Sequence, residues 1–199
     1  MPSASTLALF AAAAFVLILI PGPNMLFIVA QSLAGGRRNG VAAAFGLLTG
    51  TLIYIAAAAV GVAAVIASSA LAFDVLRYAG AVYLVYLGVK AWRSKETPGA
   101  VAVERGRTYR QAIVVQLLNP KVALFFVAFL PQFVDPAQGP VATQVLVFGA
   151  ILGGLGLVMD CGYAALAAIP AKRFSGLNKV SGVLYVAMGA AAVLLGGRR

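Results

Sequence analysis

The chain has no histidine and a single cysteine, Cys161, among its 199 residues. Without imidazole, a zinc enzyme or a histidine-dependent intramembrane protease is excluded, and a transition-metal exporter is poorly equipped. One thiol forms neither an internal disulfide nor a dithiol relay. Charge is scarce too: 10% of the residues are Asp, Glu, Lys or Arg, whereas a soluble domain carries about 25%. Gly40 to Phe73 and Val141 to Met159 contain no charge at all. This inventory leads to the expectation of no metal site and no cofactor.

What the chain does have is apolar length. Of its residues 62% are hydrophobic, in continuous runs rather than the alternation of a membrane strand. About 20 such residues span a bilayer as a helix. The expected fold class is therefore an all-α integral membrane protein. Met1 to Ala14 has no Lys or Arg, so the positive flank of a signal peptide is missing and the first stretch reads as a retained helix. Six helices are expected near residues 5–34, 41–67, 75–92, 111–134, 141–169 and 178–196. Leu7 to Ala34 would measure about 42 Å as one straight helix, against an apolar core of about 30 Å. Pro21, Gly22 and Pro23 should break or kink it, because proline lacks an amide donor and clashes with the preceding turn.

Landmarks of the first three spans recur in the last three. Phe45-Gly46-x-x-x-Gly50 returns as Phe148-Gly149-x-x-x-Gly153, and Gly80-x-x-Tyr83 as Gly182-x-x-Tyr185. Gly22-Pro23-Asn24 is echoed by Asn119-Pro120-Lys121, with proline inside an apolar run each time. Three spans per half turn the second half over, so two inverted three-helix repeats are expected, residues 1–93 and 111–199. Inverted repeats with broken helices place a transporter's substrate site where the halves meet. Residues 94–110 form the one clearly polar linker and should be a mobile cytoplasmic connection.

The net charge is +10, which in a membrane protein reflects loops that set orientation rather than a nucleic-acid partner. Arg37, Arg38, Lys90, Arg93, Lys95, Arg105, Arg107, Arg110, Lys172, Arg173 and Lys179 all fall in odd-numbered loops. The opposite side has Arg77, Arg198 and Arg199, together with Asp74 and Asp135. The positive-inside rule puts the odd loops in the cytoplasm and both termini outside.

Two charges fall inside predicted spans, Lys121 in the fourth and Asp160 in the fifth. Charges at membrane depth are costly and face a cavity or a partner. Asp160 is a candidate proton-coupling carboxylate and Lys121 a candidate anchor for a substrate carboxylate. The alternatives are a structural ion pair, or a lysine that snorkels to the surface. Pro21-Gly22-Pro23-Asn24 is the second candidate. A helix restarting at Asn24 offers free amides and a positive dipole end to an anion, and Asn24 itself suits the capping position. Asn119-Pro120 supplies a matching break from the other half. Together the breaks would hold both ends of a zwitterion, with freed carbonyls taking its ammonium group; alternatively they are kinks that only shape the helices. Gln31, Thr49, Thr51, Tyr54, Tyr83, Gln116 and Tyr163 either line a pathway or form interhelical hydrogen bonds. The GxxxG glycines are packing residues first, within one copy or between copies, so a homo-oligomer stays open.

These motifs resemble a known family. Pro21-Gly22-Pro23-Asn24-Met25, the stretch from Gly35 to Gly50, and Gly80-Ala81-Val82-Tyr83-Leu84-Val85-Tyr86-Leu87-Gly88 look like the LysE/RhtB family of amino acid exporters. The strongest match is Leu117-Leu118-Asn119-Pro120-Lys121-Val122-Ala123-Leu124-Phe125-Phe126, followed by Leu130-Pro131-Gln132-Phe133. The resemblance covers nearly the whole chain and is weakest in the last span. It implies a bacterial inner-membrane exporter of amino acids or close derivatives, such as lysine, arginine, threonine, homoserine and its lactone, driven by the proton motive force. It implies that Pro21, Gly22, Pro23 and Asn24 form the first-span motif and Asn119, Pro120 and Lys121 the fourth-span motif. Asp160 falls where an acidic fifth-span residue is expected, while Thr51 stands where some relatives have a more polar or acidic residue.

A passive channel is the main competing function, since broken helices alone do not separate a pore from alternating access. An exporter of another small ion is a further alternative. A membrane-embedded enzyme fits poorly. Asp160 is the one acid well inside a span, and no serine lies close to Lys121 in sequence.

Overall fold

In the computed structural model, residues 1–68, 89 and 107–166 are described. The expected third and sixth spans, the repeat partners Gly80, Tyr83, Gly182 and Tyr185, and most of the polar linker lie outside these residues. Among the described residues every regular element is helical.

Helix α1, Ala4–Leu19, starts where the Ser3 side chain accepts from the Thr6 amide at 3.2 Å. It ends because Pro21 pushes the residue before it out of helical conformation; Ile20 is extended, with ψ 117°. Helix α2, Pro23–Ser68, opens on proline at its first position, where the missing N–H costs nothing. The chain departs from helix once inside α2, at Gly36 (φ 76°, ψ 176°). A positive φ is open to glycine at little cost, and the expected loop of several residues thus contracts to one residue. In a straight helix Ser32 and Gly40 would be about 12 Å apart along the axis. Instead a Cβ at Gly40 would lie 3.2 Å from the Ser32 Cβ. The two arms of α2 fold back on each other at Gly36, so Phe27 and Ile28 share one buried cluster with Ala43 and Leu47.

The expected fourth helix is a series of short pieces. Helix α3, Thr108–Leu117, starts earlier than predicted, and α4 is Pro120–Leu124. A π-helical turn, Phe125–Phe129, and a 3-10 turn, Leu130–Phe133, follow. Pro131 removes one amide from the ladder; Gln132 Nε2 donates instead to the Ala128 carbonyl at 3.0 Å. After a further 3-10 turn, Pro136–Gln138, helix α5 runs over Val141–Leu166. Gln144 of α5 ties the connection down, donating to Asp135 O at 2.7 Å and Gly139 O at 2.9 Å.

Among the described residues, two helical stretches, Val141–Leu166 and Pro23–Gly61 with its fold-back at Gly36, are by length and composition apolar enough to cross a membrane. The pair Thr108–Leu117 and Lys121–Phe133, bent by 49°, makes a third if taken as one span, and Ala4–Leu19 is a shorter apolar helix. Val60, Leu146 and Val158 stand exposed, as lipid-facing side chains do.

Apolar burial gives little drive between helices in lipid, so close approach matters more. The GxxxG glycines provide it. A Cβ at Gly50 would meet Gln116 Cβ at 2.6 Å, and one at Gly149 would meet Ile55 Cγ1 at 2.5 Å. Thus α2 lies against both α3 and α5. Phe10 anchors α1 to the same body, 4.6 Å from Phe148 and 5.1 Å from Phe133 between ring centroids.

Candidate functional site

The two proline breaks meet. At the first, Pro21 has no N–H to give to the Leu17 carbonyl, and the extended Ile20 leaves its own carbonyl outside the ladder. Lys121 Nζ donates to both, at 3.0 Å to Leu17 O and 2.7 Å to Ile20 O. A cation at a helix C-terminus is also favoured by the helix dipole. The freed carbonyls therefore hold the ammonium of Lys121. The side chain does not snorkel; it is 9% exposed.

At the second break, Asn119 is extended and its Oδ1 caps α4 by accepting from the Lys121 amide at 3.0 Å. Pro120 takes the first helical position. The capping expected of Asn24 is not seen, because α2 begins one residue before it. Its side chain reaches across to the other break instead. Asn119 Nδ2 donates to Asn24 Oδ1 at 2.8 Å, and Asn24 Nδ2 to Gln116 Oε1 at 2.5 Å. Gln116 Nε2 donates to Thr51 Oγ1 at 2.6 Å, and Thr51 to Leu47 O at 3.1 Å. This relay ties both breaks to the second arm of α2. Nearby, Tyr54 donates to the Leu117 carbonyl at 2.7 Å.

A cavity of about 60 Å³ lies at this junction. Since a water needs about 10–15 Å³ on this measure, there is room for several waters or a small solute. Gly22, Asn24, Met25, Thr51, Gln116 and Lys121 line it from the breaks and α2. Gly153, Gly156, Asp160 and Tyr163 line it from one face of α5, at helical spacing. Lys121 and Asp160 are its charged lining residues, and each charge acts on the other. They make no direct ion pair among the described residues. The Asp160 carboxyl has no hydrogen-bond partner there and stands half-buried at the cavity. An ammonium group has three donors, so Lys121 keeps one beyond the two carbonyls. The first amide of α2 to bond back is Leu26, to Gly22 O at 3.2 Å. The amides of Asn24 and Met25 have no acceptor among the described residues. The cavity thus joins a positive end, built from a helix N-terminus and an ammonium, to one carboxylate.

Of the secondary polar candidates, Thr51, Gln116 and Tyr163 line the cavity. Gln31 does not; it accepts from Thr108 at 2.8 Å in a buried interhelical bond. Thr49 pairs with the Tyr109 hydroxyl at 2.7 Å on the exposed side. Tyr83 lies outside the described residues. Sequence reasoning missed Met25, Leu48, Gly156 and Leu157 as lining. The spacing Gly153-x-x-Gly156-x-x-x-Asp160-x-x-Tyr163 is the signal that points to the α5 face.

The LysE type translocator family matches residues 15–198. The chain is similar to the homoserine/homoserine lactone efflux protein of Salmonella typhimurium, at 37% identity over 187 residues, covering 87% of this chain and 89% of that protein. It is similar to a membrane protein of Vibrio cholerae, at 32% identity over 186 residues, covering 88% and 90%. It is also similar to the leucine efflux protein of Salmonella choleraesuis, at 38% identity over 127 residues, covering 61% and 60%. No solved structure matches. With a match over nearly its whole length and apolar helices to fit, the chain belongs to the LysE type translocator family of membrane transporters and is not an enzyme.

Proposed function

We propose that this protein exports small amino acids or close derivatives from the bacterial cytoplasm across the inner membrane, driven by protons. The observation that carries this reading is the cavity in which Lys121 and Asp160 face one solute-sized space between the two breaks. The cargo carboxylate binds the remaining Lys121 donor and the open amides of Asn24 and Met25; an anion at a helix N-terminus is favoured by the same dipole. The cargo ammonium binds the Asp160 carboxylate. Protonation of Asp160 removes the attraction for the ammonium, which links proton entry to cargo release. Pro21, Gly22, Pro23, Asn119 and Pro120 act by shaping the breaks that present these groups. Efflux relatives named for homoserine, its lactone and leucine support this cargo class.

The full architecture we propose is six helices in two inverted repeats, with the basic odd-numbered loops in the cytoplasm and both termini outside. A break at Ile20 to Gly22, between Ala4–Leu19 and the helix that starts at Pro23, and the bent pair Thr108–Leu117 and Lys121–Phe133 support the repeat. The N-terminal amine donating to the Gln138 carbonyl supports a common side for the N-terminus and the fourth loop.

The test is efflux from cells loaded with mixed dipeptides, with every amino acid in the medium quantified. Selective release, lost in Asp160→Asn at equal membrane expression and abolished by a protonophore for uphill movement, is the expected result. Downhill release insensitive to the protonophore would favour a passive channel.

A further inference from the structure

Gly156 is the one cavity-lining glycine of α5 whose added Cβ would meet nothing within 4 Å among the described residues. Gly153, which also lines the cavity, is different: a Cβ there would lie 3.3 Å from Leu48 Cδ1 and 3.8 Å from Thr51 Cγ2. Gly156 precedes Asp160 by one turn on the same face. Helical side chains lean toward the N-terminus, which directs Asp160 toward the Gly156 end of the cavity that both residues line. Leu157 and Leu152 line the same region without charge. If Lys121 and Asp160 hold the two ends of the cargo backbone, the described lining residues leave no third charge for a cargo side chain.

We infer that Gly156 is the specificity-determining position of this transporter. The side chain of a neutral amino acid lies in the space above it, and the missing Cβ sets the largest side chain carried. This rests on the proposed amino acid export. Basic and acidic amino acids are poor cargo, because their side-chain charge would be placed among apolar groups without a partner.

The experiment compares wild type, Gly156→Ala, Gly156→Leu and Gly154→Leu in the dipeptide-loaded efflux assay, at matched membrane expression. Gly154 is exposed on the same helix and a Cβ there also meets nothing within 4 Å among the described residues, so Gly154→Leu controls for added bulk alone. The cargo series is alanine, threonine, leucine and lysine. We expect wild type to release neutral amino acids and not lysine. Gly156→Leu should reduce release of its larger cargo by roughly tenfold or more relative to alanine, since a few methylenes in a filled pocket carry that discrimination. Gly156→Ala should show a smaller shift of the same sign, and Gly154→Leu none. An unchanged cargo spectrum in Gly156→Leu, or equal loss of all cargo including alanine, would overturn the size role while leaving export standing. Strong lysine release by wild type would overturn the neutral-cargo assignment. Absence of any amino acid release from wild type would overturn the proposed function and this inference together.

Discussion

Lys121 Nζ lies 3.0 Å from the carbonyl of Leu17, the group whose helical partner Pro21 removes. A proline in one half of the chain opens an acceptor, and a lysine from the other half fills it. Lys121→Met should leave the Ile20 carbonyl without this donor, at a cost of about 1–3 kcal/mol, while the Leu17 carbonyl keeps the Ile20 amide at 3.3 Å. The expected outcome is a lower unfolding temperature in detergent, read by fluorescence-detected size exclusion, together with lost efflux. Lys121→Arg keeps a donor and should recover part of the thermal stability. An unchanged unfolding temperature in Lys121→Met would show that these bonds contribute nothing.

Asp160 has no hydrogen-bond partner among the described residues, so Asp160→Asn removes a charge without breaking a bond. Folding should be retained while uphill efflux falls to the level of cells without the protein. Uphill efflux and pH dependence that match wild type would remove Asp160 from coupling.

Thr51 closes the relay that begins at Asn119. Thr51→Val keeps the shape and leaves Gln116 Nε2 without its acceptor. Interhelical bonds of this kind contribute about 0.6–2 kcal/mol, so a measurable drop in unfolding temperature is expected. Thr49→Val, on the exposed side, should cost less. Equal effects of the two substitutions would argue that the relay has no special weight.

Gly50 and Gly149 sit where a Cβ would meet Gln116 Cβ at 2.6 Å and Ile55 Cγ1 at 2.5 Å. Gly50→Val and Gly149→Val should therefore cut the yield of folded protein in the membrane, whereas Gly156→Ala should not. Normal yields of both valine variants would mean that the helix contacts are looser than the geometry indicates.

Arg38 sits beside the Gly36 turn, and Gln138 meets the N-terminal amine. In a Cys161→Ser background, Arg38→Cys and Gln138→Cys should label with a membrane-impermeant thiol reagent from opposite sides. Labelling of Gln138→Cys only from outside would place the N-terminus outside as well. Labelling of both from one side would reject the proposed orientation.

The sequence by itself determined the class of this protein. Charge-free runs such as Val141 to Met159 are stable only in lipid, and Pro21-Gly22-Pro23 and Asn119-Pro120 interrupt the ladder wherever they fall, because a missing amide is a local property. The approximate places of the breaks and the choice of Lys121 and Asp160 were legible for the same reason. What only the tertiary structure decided is which groups answer the breaks. That Lys121 takes the carbonyls of Leu17 and Ile20, and that Asn24 bonds to Gln116 and Asn119 instead of capping its own helix, depends on contacts between residues about a hundred positions apart. The one-residue turn at Gly36 depends on a positive φ that no apolar periodicity signals. Among the described residues, the space at Gly156 is left open where α1, α2 and the second break line one cavity with α5. Such space is a property of the assembled helices and not of any one segment.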